Sequence, residues 1–161
     1  MEKFQEAQSK AEKSLRIADH MLFVTYPLVK DDKLLISILE NIFISLSNTI
    51  ASVLYYERLF KRIPPFHDTF DSKFHLFVEK IMPRYKIDKK YRELIERVHH
   101  LVAKHKHAPV EFTRGGKYVI CTNDYNISTL SVEELKEFVR EAKELLKLNN
   151  RIIEKNAYIF K

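Results

Sequence analysis

Residues that interrupt a helix are scarce in this 161-residue sequence, which has two glycines and five prolines. Their scarcity favours long helices over a sheet-rich fold. A single cysteine, Cys121, excludes an internal disulfide and any site built from several thiolates. Both glycines, Gly115 and Gly116, are adjacent, so no phosphate-cradling glycine loop can be assembled. The start, MEKFQEAQSKAEKS, lacks the apolar stretch of a secretory signal and points to a cytoplasmic protein. The sequon Asn126-Ile127-Ser128 is then a chance match.

Apolar residues make up 45% and charged residues 31%, ordinary values for a globular chain able to bury one core. Residues 1–161 are expected to form one domain. One segment imitates a membrane span: NIFISLSNTIASVLYY, 16 uncharged residues at 41–56. It falls short of the roughly 20 apolar residues a span needs and carries six Ser, Thr or Asn, so it reads as a buried core helix. No membrane association is expected.

Apolar periodicity predicts helices over about 4–26, 31–61, 71–82 and 88–106. Tyr26-Pro27 ends or kinks the first, and Pro64-Pro65 stops the chain after the second. Within the second helix Ser37, Asn41, Ser45, Asn48 and Ser52 form a narrow polar stripe. Small side chains there let another helix approach closely, from the same chain or a second copy. The grammar then changes to period two: residues 110–114 and 117–121 flank Gly115-Gly116 as a β-hairpin. Ser131-x-x-Glu134 is a capping box that starts a last helix near Val132, running to Asn149 or beyond. No internal repeat stands out. The expected fold is mainly α: a bundle of four or five helices with one inserted β-hairpin at about residues 110–121.

Charge is unevenly placed. Between Lys80 and Lys117, 11 Lys or Arg stand against four acids, a balance of +7 in a chain whose total is +6. The remaining three quarters are close to neutral. Such asymmetry points to a polyanionic partner, with Lys104, Lys106, Arg114 and Lys117 as the nucleic-acid-binding candidates, or to an ordinary solvated face.

Four of the seven histidines crowd the same region, in ERVHHLVAKHKH at 96–107. None of these four is spaced at i, i+3 or i, i+4 from another, the spacing a helix needs for two imidazoles to share an ion, so no metal is expected. No other cofactor is implied. At about 100° per residue from Val98, the centre of the apolar stripe, His105 lies about 20° away, on the buried side. His100 and His107 lie about 160° to 180° away, in water, and His99 sits on the flank near Arg92. An arginine beside a histidine suits RNA cleavage, because the guanidinium holds a phosphate while the imidazole moves a proton near neutral pH.

Arg92 and His99, with six residues between them on a helical bundle, resemble the Arg…His signature of the HEPN superfamily. A second pair, Arg62 and His67, also has this kind of spacing but spans Pro64-Pro65. The stretch APVEFTRGGKYVICTNDY is similar to small archaeal proteins of undetermined function. The HEPN resemblance implies a homodimer of four- to five-helix bundles that associates with RNA. Many members are metal-independent endoribonucleases, and Arg92 and His99 would be the catalytic pair. The alternative expectation is a non-enzymatic bundle whose apolar and hairpin surfaces bind a protein partner.

Overall fold

The computed structural model describes residues 1–159, with side chains described as far as Lys155. Helix α1 covers Lys3–His20 and continues through a π-helical turn, Met21–Thr25, into a last α-turn, Tyr26–Val29. Helix α2 is Leu34–Leu59. Helix α3, Phe70–Leu76, likewise continues through a π-turn at Phe77–Ile81 to Tyr85. Helix α4 is Lys89–His107 and helix α5 is Val132–Ile159.

Proline explains both π-turns. Pro27 and Pro83 lack an N–H, and their rings crowd the carbonyl four residues back, so a regular α-turn cannot pass through them. Instead Tyr26 N–H donates to Met21 and Met82 N–H to Phe77, the wider i to i−5 pattern, one residue ahead of each proline. The first helix therefore passes Tyr26-Pro27 and ends at Val29. Lys30 and Lys86 then close the two helices in the left-handed region, with φ of 53° and 52°. Pro27-x-x-Lys30-x-Asp32-Lys33 and Pro83-x-x-Lys86-x-Asp88-Lys89 are thus two copies of one corner, an internal repeat missed in the sequence. Asp88 caps α4 by accepting the Lys90 N–H at 2.9 Å. In the first corner Asp31 accepts the Lys33 N–H, and Asp32 takes the Tyr26 hydroxyl at 2.6 Å.

Helix α2 is the axis of the core. Ile38, Leu39, Ile42, Leu46, Ile50, Val53 and Leu54 are fully buried beneath α1, α4 and α5. Its 26 residues are long and apolar enough to cross a bilayer, and 56% of its most apolar window is buried in this fold. Helix α1 runs most extensively along it. Part of the polar stripe is their seam: Ser45 Oγ donates 2.8 Å to the carbonyl of Ala11, and Ala7, Ala11, Ser14 and Ala18 line the facing side. Thr49 and Ser52 return their hydroxyls to their own helix. The close approach that the small residues permit is made within the chain.

The hairpin is part of a larger sheet than expected. Strands β1 (Val110–Arg114), β2 (Lys117–Cys121) and β3 (Ile127–Ser131) form an antiparallel meander in that order. The turn between β1 and β2 uses Gly115 and Gly116 at φ of 59° and 75°, as the glycine pair requires. Phe112 pairs with Val119 and Val119 with Thr129, and Tyr118 pairs with Leu130. Glu111, Tyr118, Ile120, Ser128 and Leu130 face the helices. Val110, Phe112, Arg114, Lys117, Val119 and Ile127 make the outer face. Ser131 caps α5 by accepting the Glu134 N–H at 3.1 Å, whereas the Glu134 carboxylate turns to Arg97, 3.3 Å away, instead of completing a capping box.

Candidate polyanion-binding surface and the Arg92–His99 flank

The basic quarter is not one surface. Arg84 pairs with Glu57, Lys90 with Glu144, Arg92 with Glu96 and Arg97 with Glu134. Glu57, Glu134 and Glu144 come from α2 and α5, so part of the local excess is matched in space by acids distant in sequence. The other cations separate by position. Lys80, Lys86 and Lys89 gather at the α3–α4 corner, and Lys104 and Lys106 sit near the far end of α4. The 19-residue length of α4 holds its two ends about 28 Å apart.

The four nucleic-acid-binding candidates divide as well. Arg114 and Lys117 are register partners flanking the glycine turn, so their side chains leave the same outer face side by side. Lys106 is exposed near the end of α4, and β1 then spans roughly 14 Å from Val110 to Arg114. Among the described residues these three have no acidic partner within ion-pair distance. Lys104 is turned inward, with Nζ donating 3.0 Å to Ser128 Oγ, and serves to hold β3 onto α4. Phe112, 43% exposed, lies on the outer face between the Arg114–Lys117 row and the apolar Val110 and Ile127.

His105 is half-buried and forms a bridge that the helical phase alone could not show. Nδ1 lies 2.7 Å from Glu111 Oε1 on β1, and Nε2 is 3.8 Å from Glu40 on α2. The other Glu111 oxygen accepts the Tyr118 hydroxyl. Desolvation first and that hydrogen bond second push the Tyr118 phenol up to about 12. Together with Lys104–Ser128 and Arg97, whose Nη2 donates 3.4 Å to the Thr129 carbonyl, this bridge fastens the sheet along the C-terminal half of α4. His100 and His107 are exposed, as their phase requires. Partial desolvation and the nearby cations Lys104 and Arg97 hold the His100 imidazole below its ordinary value.

His99 occupies the flank, and its surroundings are aromatic. Its ring stacks 4.3 Å from Phe70 at 26° and 5.6 Å from Phe43 at 27°, joining α4 to α3 and α2. Arg92 is two turns away, about 10 Å along the helix, and its Nε bonds Glu96 Oε1 at 2.9 Å between the two. His67 is exposed in the loop before α3, and the Arg62 guanidinium lies 3.5 Å from Glu57. Among the described residues no group of three or more His, Cys, Asp or Glu is placed to hold a metal ion. Cys121 is free, half-buried, and opposite Val110 and Ile127.

His99→Ala is expected to cost about 1 kcal/mol of stability through lost stacking, and His100→Ala less than about 0.5. Chemical denaturation of both variants checks this, and equal costs would refute the packing role. Comparison with protein-family models, curated proteins and solved structures finds no match.

Phe112, Tyr118 and the Glu40–His105–Glu111 bridge were missed in the sequence. Period-two alternation in VEFTR does place Val110, Phe112 and Arg114 on one face. The bridge joins residues from three elements and leaves no spacing to detect.

Proposed function

We propose that this protein is an HEPN-like, RNA-associated helical bundle that holds single-stranded RNA on the outer face of its sheet. The observation that supports it is the adjacent pair Arg114 and Lys117, without acidic partners, beside the exposed ring of Phe112. Cations that track phosphates beside an aromatic that stacks a base are what sequence-tolerant single-strand binding requires. Lys106 extends the cationic track toward the end of α4.

Cleavage is not needed for this reading. The Arg92 guanidinium is engaged by Glu96, and His99 is packed against Phe70. A ribonuclease version needs a homodimer in which a second copy brings a phosphate-holding arginine to His99. In that version His99→Ala abolishes metal-independent cleavage, while His100→Ala leaves it intact.

The test is binding of a labelled single-stranded RNA across a salt series. Replacing Lys106, Arg114 and Lys117 together with alanine should flatten the slope of log affinity against log salt by about 2, at about 0.7 per phosphate contact. Phe112→Ser should weaken binding about tenfold with little change of slope. Lys104→Ala should change the slope less than loss of Lys106, Arg114 or Lys117, because its Nζ is held at Ser128 on the inner side of the sheet. Wild-type slope and affinity in the triple variant would sink the proposal.

One observation favours a protein partner instead: Val110 and Ile127, 53% and 65% exposed, widen the outer face into an apolar patch. Binding through that patch would show almost no salt slope.

A further inference from the structure

On another side of the molecule, the start of α1, the end of α2 and the loop before α3 enclose a cleft of two chambers. The larger, about 480 Å³, lies within the range of roughly 300–1,000 Å³ that small-molecule sites occupy. Its walls are more apolar than polar: Phe4 on α1, Leu59 on α2, and Pro65 and Phe66 in the loop, with Glu2 and Arg58 also lining it. The smaller chamber, about 260 Å³, is lined by Lys3, Lys10 and Lys73. Lys3, Tyr55 and Asp68 border both, so the two chambers adjoin at the Tyr55 ring.

The chemistry of each chamber defines the occupant. Tyr55 and Phe66 pack against each other, with ring centroids 5.6 Å apart at 31°, and together present an aromatic wall that matches a flat body better than a branched one. In the smaller chamber the Lys3 and Lys73 ammonium groups lie 5.7 and 5.5 Å from the centre of the Tyr55 ring. Two acids stand against the three lysines, Glu6 and Asp68, and Asp68 is already bound to Lys73. The chamber therefore favours an anion next to the aromatic wall. No aspect of the RNA reading uses this cleft.

We propose that the cleft is a binding site for a small planar aromatic anion, an aryl carboxylate or sulfonate. Its ring system occupies the apolar chamber, and its charged head lies among Lys3, Lys10 and Lys73. Tyr55 is the shared wall: it borders the body and holds the lysines beside the position of the head.

The probe is 8-anilinonaphthalene-1-sulfonate, with N-phenyl-1-naphthylamine as its uncharged counterpart. The folded full-length protein should bind the sulfonate saturably, one to one, without any change in its far-ultraviolet circular dichroism. The uncharged counterpart should bind about tenfold more weakly, since it leaves the lysine chamber empty. Tyr55→Leu should weaken sulfonate binding about tenfold, and Lys3→Ala, at an exposed position that cannot unfold the chain, about threefold. Phe112→Ser should bind it as wild type does. Non-saturable binding, equal affinity for the two probes, wild-type affinity in both cleft variants, or loss in Phe112→Ser would each overturn the proposal.

Discussion

Glu57→Ala should lower the free energy of unfolding by about 3–5 kcal/mol, the largest loss expected from any single substitution outside the apolar core. Glu57 is a fully buried carboxylate near the C-terminal end of α2. Arg84 Nη1 donates to its Oε2 at 3.0 Å, Arg62 lies 3.5 Å from the same oxygen, and the Tyr85 hydroxyl donates to Oε1. A carboxylate without water is sustained only by such partners, so the residues that satisfy it are also fixed by it. The two arginines are 24% and 41% exposed and can regain water when the acid is gone, which tempers their share of the loss. The larger share comes from the void left by Glu57 and from the half-buried Tyr85 hydroxyl losing this acceptor. Glu57→Gln keeps the volume and one acceptor and should cost about half as much. Urea denaturation followed by circular dichroism measures both. A Glu57→Ala variant within 1 kcal/mol of wild type would show that the network contributes little.

Ala11→Leu is expected to cost about 3–4 kcal/mol, from overpacking together with a broken buried hydrogen bond. The side chain is 0% exposed in the α1–α2 seam, and Ser45 Oγ reaches across to the Ala11 carbonyl at 2.8 Å. Three added carbons have no void to enter, so the helices must separate and leave the Ser45 hydroxyl buried without its acceptor. Ser45→Ala removes the bond but keeps the spacing, and should cost about 1 kcal/mol. Glu12→Leu, one residue along but on the exposed side of α1, should change stability by less than about 0.5. Thermal unfolding of the three variants checks the order. If Ala11→Leu melts with wild type, the small residues are not what sets the helix separation.

The elements legible in the sequence are those whose signal is local. The apolar stripe of α4 from Tyr91 to Val102, the turn at Gly115-Gly116 and the cap at Ser131 each depend on residues within a few positions of one another. Strand β3 has the same length as β1 and β2 but runs straight into the α5 cap, so the helix signal conceals the alternation before it. The repeated Pro-x-x-Lys-x-Asp-Lys corner is too short to stand out in the sequence, and its equivalence rests on the shared backbone path through the π-turn and the left-handed lysine. In the sequence Glu57 stands directly after the uncharged run 41–56. Its partners Arg84 and Tyr85 are contributed by α3, and no local spacing records them.

For the candidate sites, helical phase placed His99 on the flank, His100 and His107 in water and His105 toward the protein, because 100° per residue is a property of the backbone alone. What each group meets there was decided by tertiary structure. Phe43 and Phe70 stack His99, Glu111 and Glu40 flank His105, Ser128 draws Lys104 inward, and acids of α2 and α5 match cations of the basic quarter. By itself the sequence determined a helix-rich chain, its central apolar helix and its glycine turn, through periodicity and steric exclusion between near neighbours. The partners of its charges depended on packing between elements far apart in the chain, and one-dimensional spacing carries no record of that.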